Sequence, residues 1–255
     1  MKDESVLNPF LGKEIALAYH KFRPHLHEVP FRLLHDHHGA NFGKALDVAC
    51  GTGRSTHSLS LICDNIIGID YSQDMIDQAK ENYPELNFEL MNAEHLAFAE
   101  DSFDLINISM GIHWLDHTKF ITGIRNVLKP KGLLSIDNYG FRGIVSGDES
   151  VQKVHNDFFN EFLPNVTKYD SYLEEDFLTE YQISFVEEIT YQRHISMGKD
   201  SFTGFLKTMS NYLALSYERK KVVSKKMDEI YGAIFDDKEL PLEFGGRLKI
   251  FERLT

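Results

Sequence analysis

The amino-acid sequence predicts an α/β protein built on a doubly wound, mainly parallel sheet of seven strands. Between residues 44 and 138, short apolar segments alternate with helical segments, which is the pattern of successive βαβ units. The apolar segments are short runs, as expected of a parallel sheet that helices cover on both faces. A glycine-rich turn follows the first of these segments, at the edge where open α/β sheets bind ligands.

The elements follow from apolar periodicity and from helix-breaking residues. The first forty residues predict two helices, one ended by Pro24 and one from residue 29 to about 38, near Gly39. The predicted strands then span residues 44–49, 65–69, 86–90, 103–109 and 132–138, with helices at about 53–62, 73–82 and 117–128. Beyond residue 139 the pattern predicts an aromatic-rich helix, a Tyr- and Glu-rich stretch (168–181), a strand (184–191), helices (201–215 and about 217–235) and a last strand opened by two glycines in GGRLKIFERL.

Composition and charge limit the classes of partner. The 255 residues carry a formal net charge of -12 and no basic stripe, so we expect no nucleic-acid partner. The N-terminal residues lack the apolar core of a signal peptide, and no run approaches the ~18 apolar residues of a membrane span. Cys50 and Cys63 are expected to be free thiols. We therefore expect a cytoplasmic protein with a small-molecule substrate and no membrane partner; monomer and homodimer both stay open.

The run ALDVACGTGRSTHS, residues 45–58, places bare backbone N–H groups between a strand and a helix. A phosphate-binding loop needs a lysine after the second glycine, where this chain has Arg54, and a dinucleotide fingerprint needs a small residue where it has Thr56. Asp70 follows Gly53 by ~17 residues, close to the spacing of a carboxylate that accepts ribose hydroxyls. The pattern indicates a ligand with a ribose and no gripped phosphate. The alternatives are a purely structural turn and Asp70 as a helix N-cap.

Four segments in order, ALDVACGTG, GIDYSQDMIDQAK, NAEHLAFAEDSFDLI and VLKPKGLL, resemble class I S-adenosylmethionine-dependent methyltransferases over about residues 15–138. YHKFRPHLHEVP, GIHWLDH and SFTGFLKTMSNY more weakly resemble the small-molecule subgroup of trans-aconitate-type or methyltransferase type 11-like enzymes. The resemblance implies a Rossmann-like methyltransferase fold with S-adenosylmethionine as cofactor and S-adenosylhomocysteine as product. It also implies a single catalytic domain with an N-terminal helical lid (1–40), a cofactor-binding core (41–140) and a substrate-side part (141–255), made of a helical insertion after strand five and the last strands.

The resemblance also implies the cofactor contacts. Asp47 would orient the loop and, through water, the cofactor's ammonium group; Asp70 would accept from the ribose hydroxyls. The two departures from the family pattern are Ala49, where the family has its first glycine, and Asn92, where it has aspartate. The full set of predicted cofactor-binding residues is Tyr19, Arg23, Asp47, Ala49, Gly51, Gly53, Asp70, Tyr71, Met75, Asn92, Ala93, Glu94 and Ser109. Met75 as a core residue, and Tyr19 and Arg23 as surface residues of the lid helix, are the alternatives.

Methyl transfer from a sulfonium is an in-line displacement, so the protein mainly aligns the donor and acceptor. A general base is required for phenols and alcohols but not for carboxylates. His113 is the candidate base, with a structural role beside Trp114 as the alternative. Trp114, Tyr139 and Arg142 are the candidate substrate residues. His113 and His117 have metal-ligand spacing but no evident third ligand, so we expect no metal site.

Two other functions stay open at this point. The chain could be a non-catalytic S-adenosylmethionine sensor or partner-binding module, which methyl turnover would distinguish from an enzyme. A tRNA or protein methyltransferase is the weaker alternative, because the basic patch is missing and SMGIH stands where base-methylating enzymes carry an Asn/Asp-Pro-Pro-Tyr/Phe motif.

Overall fold

The computed structural model describes residues 9–164 and 173–254. Within these ranges the strands are β1 Phe42–Val48, β2 Cys63–Asp70, β3 Asn87–Leu90, β4 Phe103–Ser109, β5 Leu128–Ile144, β6 Ile183–Met197 and β7 Leu240–Arg253. The helices are α1 Lys13–Phe22, α2 Glu28–His38, α3 Arg54–Leu59, α4 Gln73–Asn82, α5 His117–Val127, α6 Glu149–Phe162, α7 Glu175–Thr179, α8 Lys199–Lys207, α9 Ser210–Leu213 and α10 Tyr217–Phe235, with a 3₁₀ turn at Ile112–Trp114.

The seven strands form one sheet in the order β3-β2-β1-β4-β5-β7-β6. The pairs β1–β2, β2–β3, β1–β4 and β4–β5 are parallel. The chain moves outward from β1 to β3 and then crosses to β4 on the other side of β1. This is the doubly wound arrangement, which confirms the predicted fold class and brings the carboxyl ends of β1 and β4 together at the point where the winding reverses.

The chain divides into two compact units. Among the described residues, the larger unit contains 25–140, 173–192 and 245–254, and the smaller unit contains 9–24, 141–164 and 193–244. Helix α2 therefore groups with the larger unit. The three-part division at residues 40 and 140 stays a prediction, and residues 1–8 and 165–172 of its outer parts lie outside the described residues.

Both faces of the sheet in the larger unit are buried. Alternate residues of β1, β4 and β5 point to opposite faces, as they must in a strand. On one face, Leu46, Ile106 and Leu134 pack in a fully buried cluster with residues of α5. On the other face, Ala45 and Leu105 pack with Phe31 and Leu34 of α2. The second face also carries polar side chains toward the carboxyl ends of the same strands, and the candidate site lies there.

The smaller unit is held by an aromatic cluster. Phe202 of α8 lies 5.0 Å from the ring of Tyr231 and 5.5 Å from that of Phe235, both of α10. Helix α1 packs on α8 because Gly204 has no side chain: a Cβ there would lie 2.4 Å from the Phe22 ring. The predicted aromatic-rich helix is α6, whose Phe158 is fully buried against Tyr231.

Four expected details were wrong. The predicted helix at 201–215 is two helices, because Thr208 turns its carbonyl oxygen to the Arg23 guanidinium (3.0 Å) at the end of α8. Strand β5 continues to Ile144, so Arg142 lies within it and not after it. Strand β7 starts at Leu240, so its two glycines lie inside the strand. Cys63, which the sequence was expected to place in the helix before the second strand, begins β2.

In the described part of the chain, no helix has the length and apolar character needed to cross a membrane.

Candidate active site

The chain leaves β1 through a turn in left-handed backbone conformations. The φ angles are +55° at Ala49, +54° at Gly51 and +84° at Gly53. Such angles favour glycine. A Cβ at Gly53 would lie 2.8 Å from the Phe88 ring, whereas a Cβ at Gly51 would meet no atom within 4 Å. Gly53 is therefore required by packing. At Gly51 the space that a side chain would take is open, so a ligand can approach the backbone there.

Asp47 fixes this turn from below. Its side chain is fully buried, and its two oxygens accept from Ser55 Oγ (2.6 Å), Thr56 Oγ1 (2.7 Å) and Asn107 Nδ2 (2.7 Å). Burial raises the pKa of Asp47 to about 6, although these three hydrogen bonds act in the opposite direction. The carboxyl group thus ties β1 to the first turn of α3 and to β4. This geometry supports the loop-orienting part of its predicted role; the water-mediated contact with an ammonium stays a prediction.

Asp70 is the last residue of β2, as the sequence predicts. One carboxylate oxygen accepts from the Gly51 N–H at 2.9 Å and the other from the Ser72 N–H at 2.8 Å. Burial raises the pKa of Asp70, and these backbone donors oppose that shift. The backbone N–H of Tyr71 is a third donor to this carboxylate. A carboxylate has about four lone-pair sites, so at least one stays for a hydroxyl group of a ligand. Asp70 is partly exposed beside the open face of Gly51, where a ribose diol would supply two donors.

Ala49 stands where the resembling family has a glycine. Its methyl group is accommodated by Gly111, in the loop that follows the neighbouring strand β4. Gly111 follows β4, and a Cβ there would lie 2.7 Å from the Ala49 Cβ. The methyl group of Ala49 occupies the space that a side chain at position 111 would need. The left-handed conformation of Ala49 costs roughly 1 kcal/mol. Gly111 does not relieve that backbone cost, but it leaves room for the Ala49 methyl group.

This pairing gives a prediction for stability. We expect Gly111→Ala to destabilise the protein by about 1–3 kcal/mol, because two Cβ atoms cannot overlap. Ala49→Gly alone should change the free energy of unfolding by less than about 1 kcal/mol, since relief of strain offsets greater unfolded-state freedom. In the double variant, part of the Gly111→Ala loss should be recovered. Denaturant unfolding of the four proteins measures this coupling; additive effects would contradict the contact.

The segments predicted to surround adenine lie after β2 and β3. Tyr71 is 64% exposed directly after Asp70, while Met75 is buried and its N–H donates to the N-capping Ser72 hydroxyl. Asn92 Oδ1 accepts from the Glu94 N–H at 2.9 Å and so closes a local turn. Glu94 Oε1 in turn accepts from the Asp116 N–H at the start of α5 (2.9 Å). Ala93 is buried in the core cluster. The adenine contacts of these residues stay predictions.

The carboxyl end of β4 and the residues of β5 that pair with it carry a second buried polar group of residues. Ser109 Oγ donates to Asp137 Oδ2 at 3.0 Å and lies 3.2 Å from His27 Nδ1, and Tyr191 donates to Asp137 Oδ1 at 2.7 Å. We call His27, Ser109, Asp137 and Tyr191 the Asp137 cluster. Ser109 was predicted to bind the cofactor; the other three members were not identified from the sequence.

The predicted catalytic and substrate residues occupy several elements. His113 and Trp114 lie in the 3₁₀ turn after β4, half-buried, with ring centroids 5.2 Å apart. Tyr139 on β5 is 7% exposed, and its ring lies edge-on to His27 at 5.6 Å. The larger unit therefore holds His113, Trp114 and Tyr139.

Tyr19, Arg23 and Arg142 belong to the smaller unit. Arg23 stacks on the Tyr19 ring and donates to both Thr208 Oγ1 and Thr208 O at 3.0 Å. Two of its five N–H donors are thus engaged with Thr208. Arg142 is exposed on β5. Their predicted contacts with cofactor and substrate stay predictions.

Comparisons with known proteins identify the kind of domain that this chain contains. Residues 46–136 match a family model described as a methyltransferase domain. A protein named as a methyltransferase in Dictyostelium discoideum is 25% identical over 221 residues, which cover 84% of this chain and 82% of that protein. Seven further curated relatives are matched over 23 to 63% of their own length.

Solved structures share the fold. A type II methyltransferase from Anaeromyxobacter dehalogenans superposes with a TM-score of 0.71 at 19% identity, covering 91% of this chain and 99% of that one. The geranyl diphosphate C-methyltransferase of Streptomyces coelicolor, solved with S-adenosyl-L-homocysteine, superposes with a TM-score of 0.51 at 12% identity, covering 89% and 78%.

The matched domain spans the glycine turn, Asp70 and all of β4, and it ends at residue 136 within β5. The matched methyltransferase domain and the methyltransferase relatives support an assignment to the class I S-adenosylmethionine-dependent methyltransferases. The chain is thus a methyltransferase, and the Streptomyces coelicolor structure of the same fold holds the demethylated product of S-adenosylmethionine. The residues present fit S-adenosylmethionine, because the open backbone at Gly51 and the remaining acceptor capacity of Asp70 suit a ribose.

Proposed function

We propose that the chain transfers a methyl group from S-adenosylmethionine to a small-molecule acceptor, either a carboxylate or a phenol or alcohol. The observation that carries this proposal is the hydrogen bond between Asp70 and the Gly51 N–H beside an open backbone face. This pair would orient a ribose close to the point where the winding of the sheet reverses. The net charge of -12 favours a small acceptor over a nucleic acid.

The cofactor, when bound, supplies an activated methyl group on a sulfonium. The chain's own residues then bind, orient and exclude water. Asp47 holds the loop, Asp70 accepts from the ribose, and Tyr71 and Met75 are proposed to flank the adenine. At the acceptor side we place Trp114 and Tyr139, with His113 as a candidate base. If the chain is a trans-aconitate-type enzyme, its acceptor is an acid, and an exposed cation such as Arg142 would pair with the acid's carboxylate.

The experiment is a two-part assay on the purified chain. Calorimetry with S-adenosylhomocysteine is expected to show binding with a single site. Transfer of a labelled methyl group is then measured against a panel of small acids, phenols and alcohols, where we expect turnover of one class. Binding that persists without turnover of any acceptor would favour the alternative function, a non-catalytic cofactor sensor.

A further inference from the structure

The Asp137 cluster joins four elements of the larger unit. Ser109 and Asp137 are register partners on β4 and β5, Tyr191 comes from β6, and His27 immediately precedes α2. Asp137 is fully buried, and the other three side chains are 7 or 8% exposed. A buried carboxyl group held by two hydroxyls is costly compared with an apolar core. The chain therefore maintains an ionisable group beside the carboxyl edge of the sheet.

The hydrogen bonds fix the proton positions when Asp137 is ionised. The carboxylate accepts from the Ser109 and Tyr191 hydroxyls, and each hydroxyl has a single proton to donate. Because the Ser109 proton is used, the 3.2 Å contact with His27 assigns the imidazole proton to Nδ1. Nε2 of a neutral His27 then carries a lone pair. The assignment makes His27 a proton acceptor whose other nitrogen is linked to Asp137 through Ser109.

The electrostatic environment separates the roles of His27 and Asp137. Burial lowers the pKa of His27 to about 3, and the charges of His25 and Arg54 act in the same direction. Burial raises the pKa of Asp137 to about 7 against the hydrogen bonds from Tyr191 and Ser109. Imidazole thus stays neutral near pH 7, while the carboxyl group exchanges a proton there. A group that titrates near the working pH is suited to general base catalysis.

Neighbouring residues are shaped to hold this cluster. A Cβ at Gly246 of β7 would lie 2.3 Å from Tyr191 Cζ and 2.5 Å from its hydroxyl oxygen, so a glycine inside that strand makes room for the ring. The rings of Phe31 and Tyr139 flank His27 at 6.2 and 5.6 Å. Tyr139 is a proposed substrate residue. His27 therefore lies against a residue of the proposed acceptor site.

We propose that the Asp137 cluster removes the proton of the methyl acceptor, and that the acceptor is a phenol or an alcohol, not a carboxylate. This inference rests on the proposed function and names its substrate class. Carboxylic acids arrive deprotonated near neutral pH and need no base, whereas hydroxyl acceptors do. A buried proton relay that ends on a carboxylate is therefore useful for hydroxyl acceptors, which must lose a proton, and is not needed for carboxylates.

The proton moves in a balanced relay. The acceptor O–H proton passes to His27 Nε2, the Nδ1 proton passes to Ser109 Oγ, and the Ser109 proton passes to Asp137, which becomes a neutral carboxylic acid. The freed oxygen electron pair forms the bond to the methyl carbon as the carbon–sulfur bond breaks and leaves its pair on sulfur. His27 is neutral before and after the transfer, in keeping with its low pKa.

The first test does not depend on activity. Asp137 has a raised pKa in the folded state, so its favourable contribution to stability is present at low pH and is lost as pH rises toward 7. Asparagine does not titrate. Hence the unfolding equilibrium constant of Asp137→Asn, relative to wild type, should fall by up to tenfold per pH unit between about pH 4 and 7. Asp104→Asn, a partly exposed carboxyl at the opposite end of β4, is the control. A ratio that is constant with pH overturns the assignment.

The second test uses the labelled-methyl assay. With a phenol or alcohol acceptor, Asp137→Asn should lower kcat by about a hundredfold or more and remove the rise in kcat near pH 7, while the affinity for S-adenosylhomocysteine stays unchanged. Tyr191→Phe, which removes one donor and keeps the ring, should shift that rise to higher pH. Full activity of Asp137→Asn, or wild-type turnover of acids alone, overturns the inference and leaves the proposed function standing. Absence of turnover with every acceptor rejects both.

Discussion

Replacement of Asp70 by alanine is expected to weaken binding of S-adenosylhomocysteine by about a hundredfold or more. The carboxylate would accept from two ribose hydroxyls, and a hydrogen bond to a charged group contributes about 1.5–3 kcal/mol. The same substitution removes the acceptor for the Gly51 and Ser72 N–H groups, so the binding loop also loses its anchor. Both effects act on the same ligand, which is why this change is expected to be among the largest.

Calorimetric titration measures the effect, and Asp77→Ala is the matched control. Asp77 is an exposed residue of α4 whose carboxylate accepts from Gln73, so its removal changes charge but not the turn. Asp70→Asn retains a carbonyl acceptor and should give an intermediate loss. If Asp70→Ala bound S-adenosylhomocysteine as tightly as Asp77→Ala, Asp70 would have no part in holding the ribose.

The second large effect is expected from Gly51→Ala, which should remove measurable cofactor binding while leaving the fold intact. A Cβ at position 51 meets no protein atom within 4 Å, so it would project into the face that the ligand covers. The left-handed φ of +54° adds a stability cost of roughly 1 kcal/mol. A variant that loses cofactor binding but little unfolding free energy is one whose substitution blocks a ligand contact.

Gly39→Ala is the matched control for this substitution. Gly39 ends α2 with a φ of +78°, and a Cβ there also meets no atom within 4 Å. It should therefore show a similar loss of unfolding free energy with unchanged affinity. Thermal unfolding and calorimetry of both variants separate the two contributions. Equal affinities in the two variants would mean that the open face of Gly51 binds nothing.

The fold could be predicted from local signals. Helix α4 begins at residue 73 as predicted, because Ser72 is an N-cap whose hydroxyl accepts from the Met75 N–H. Helix α10 follows Ser216 in the same way. The break between α8 and α9 could not be predicted, since Arg23, 185 residues earlier, supplies the donors to Thr208. A contact between residues so far apart in the chain cannot be identified from the local pattern of a single sequence.

The same distinction applies to the site. The turn at 49–53 and Asp70 are local motifs, and the structure places them as the spacing predicts. The need for glycine at position 111 was missed because the group that requires it, the Ala49 methyl group, lies in the turn after a different strand. Three members of the Asp137 cluster were missed because Ser109 lies 82 residues from His27, and Asp137 lies 54 from Tyr191. The one available signal was an acidic residue inside the apolar strand LLSIDN.

Asp70 and Gly51 are the residues on which the proposed cofactor site depends. A crystal structure of the chain with S-adenosylhomocysteine tests it most directly. We expect both ribose hydroxyls within hydrogen-bonding distance of the Asp70 carboxylate and the sugar in contact with the Gly51 backbone. A complex in which Asp70 contacts no sugar, or in which the ligand lies away from residues 49–53, would contradict the proposed site.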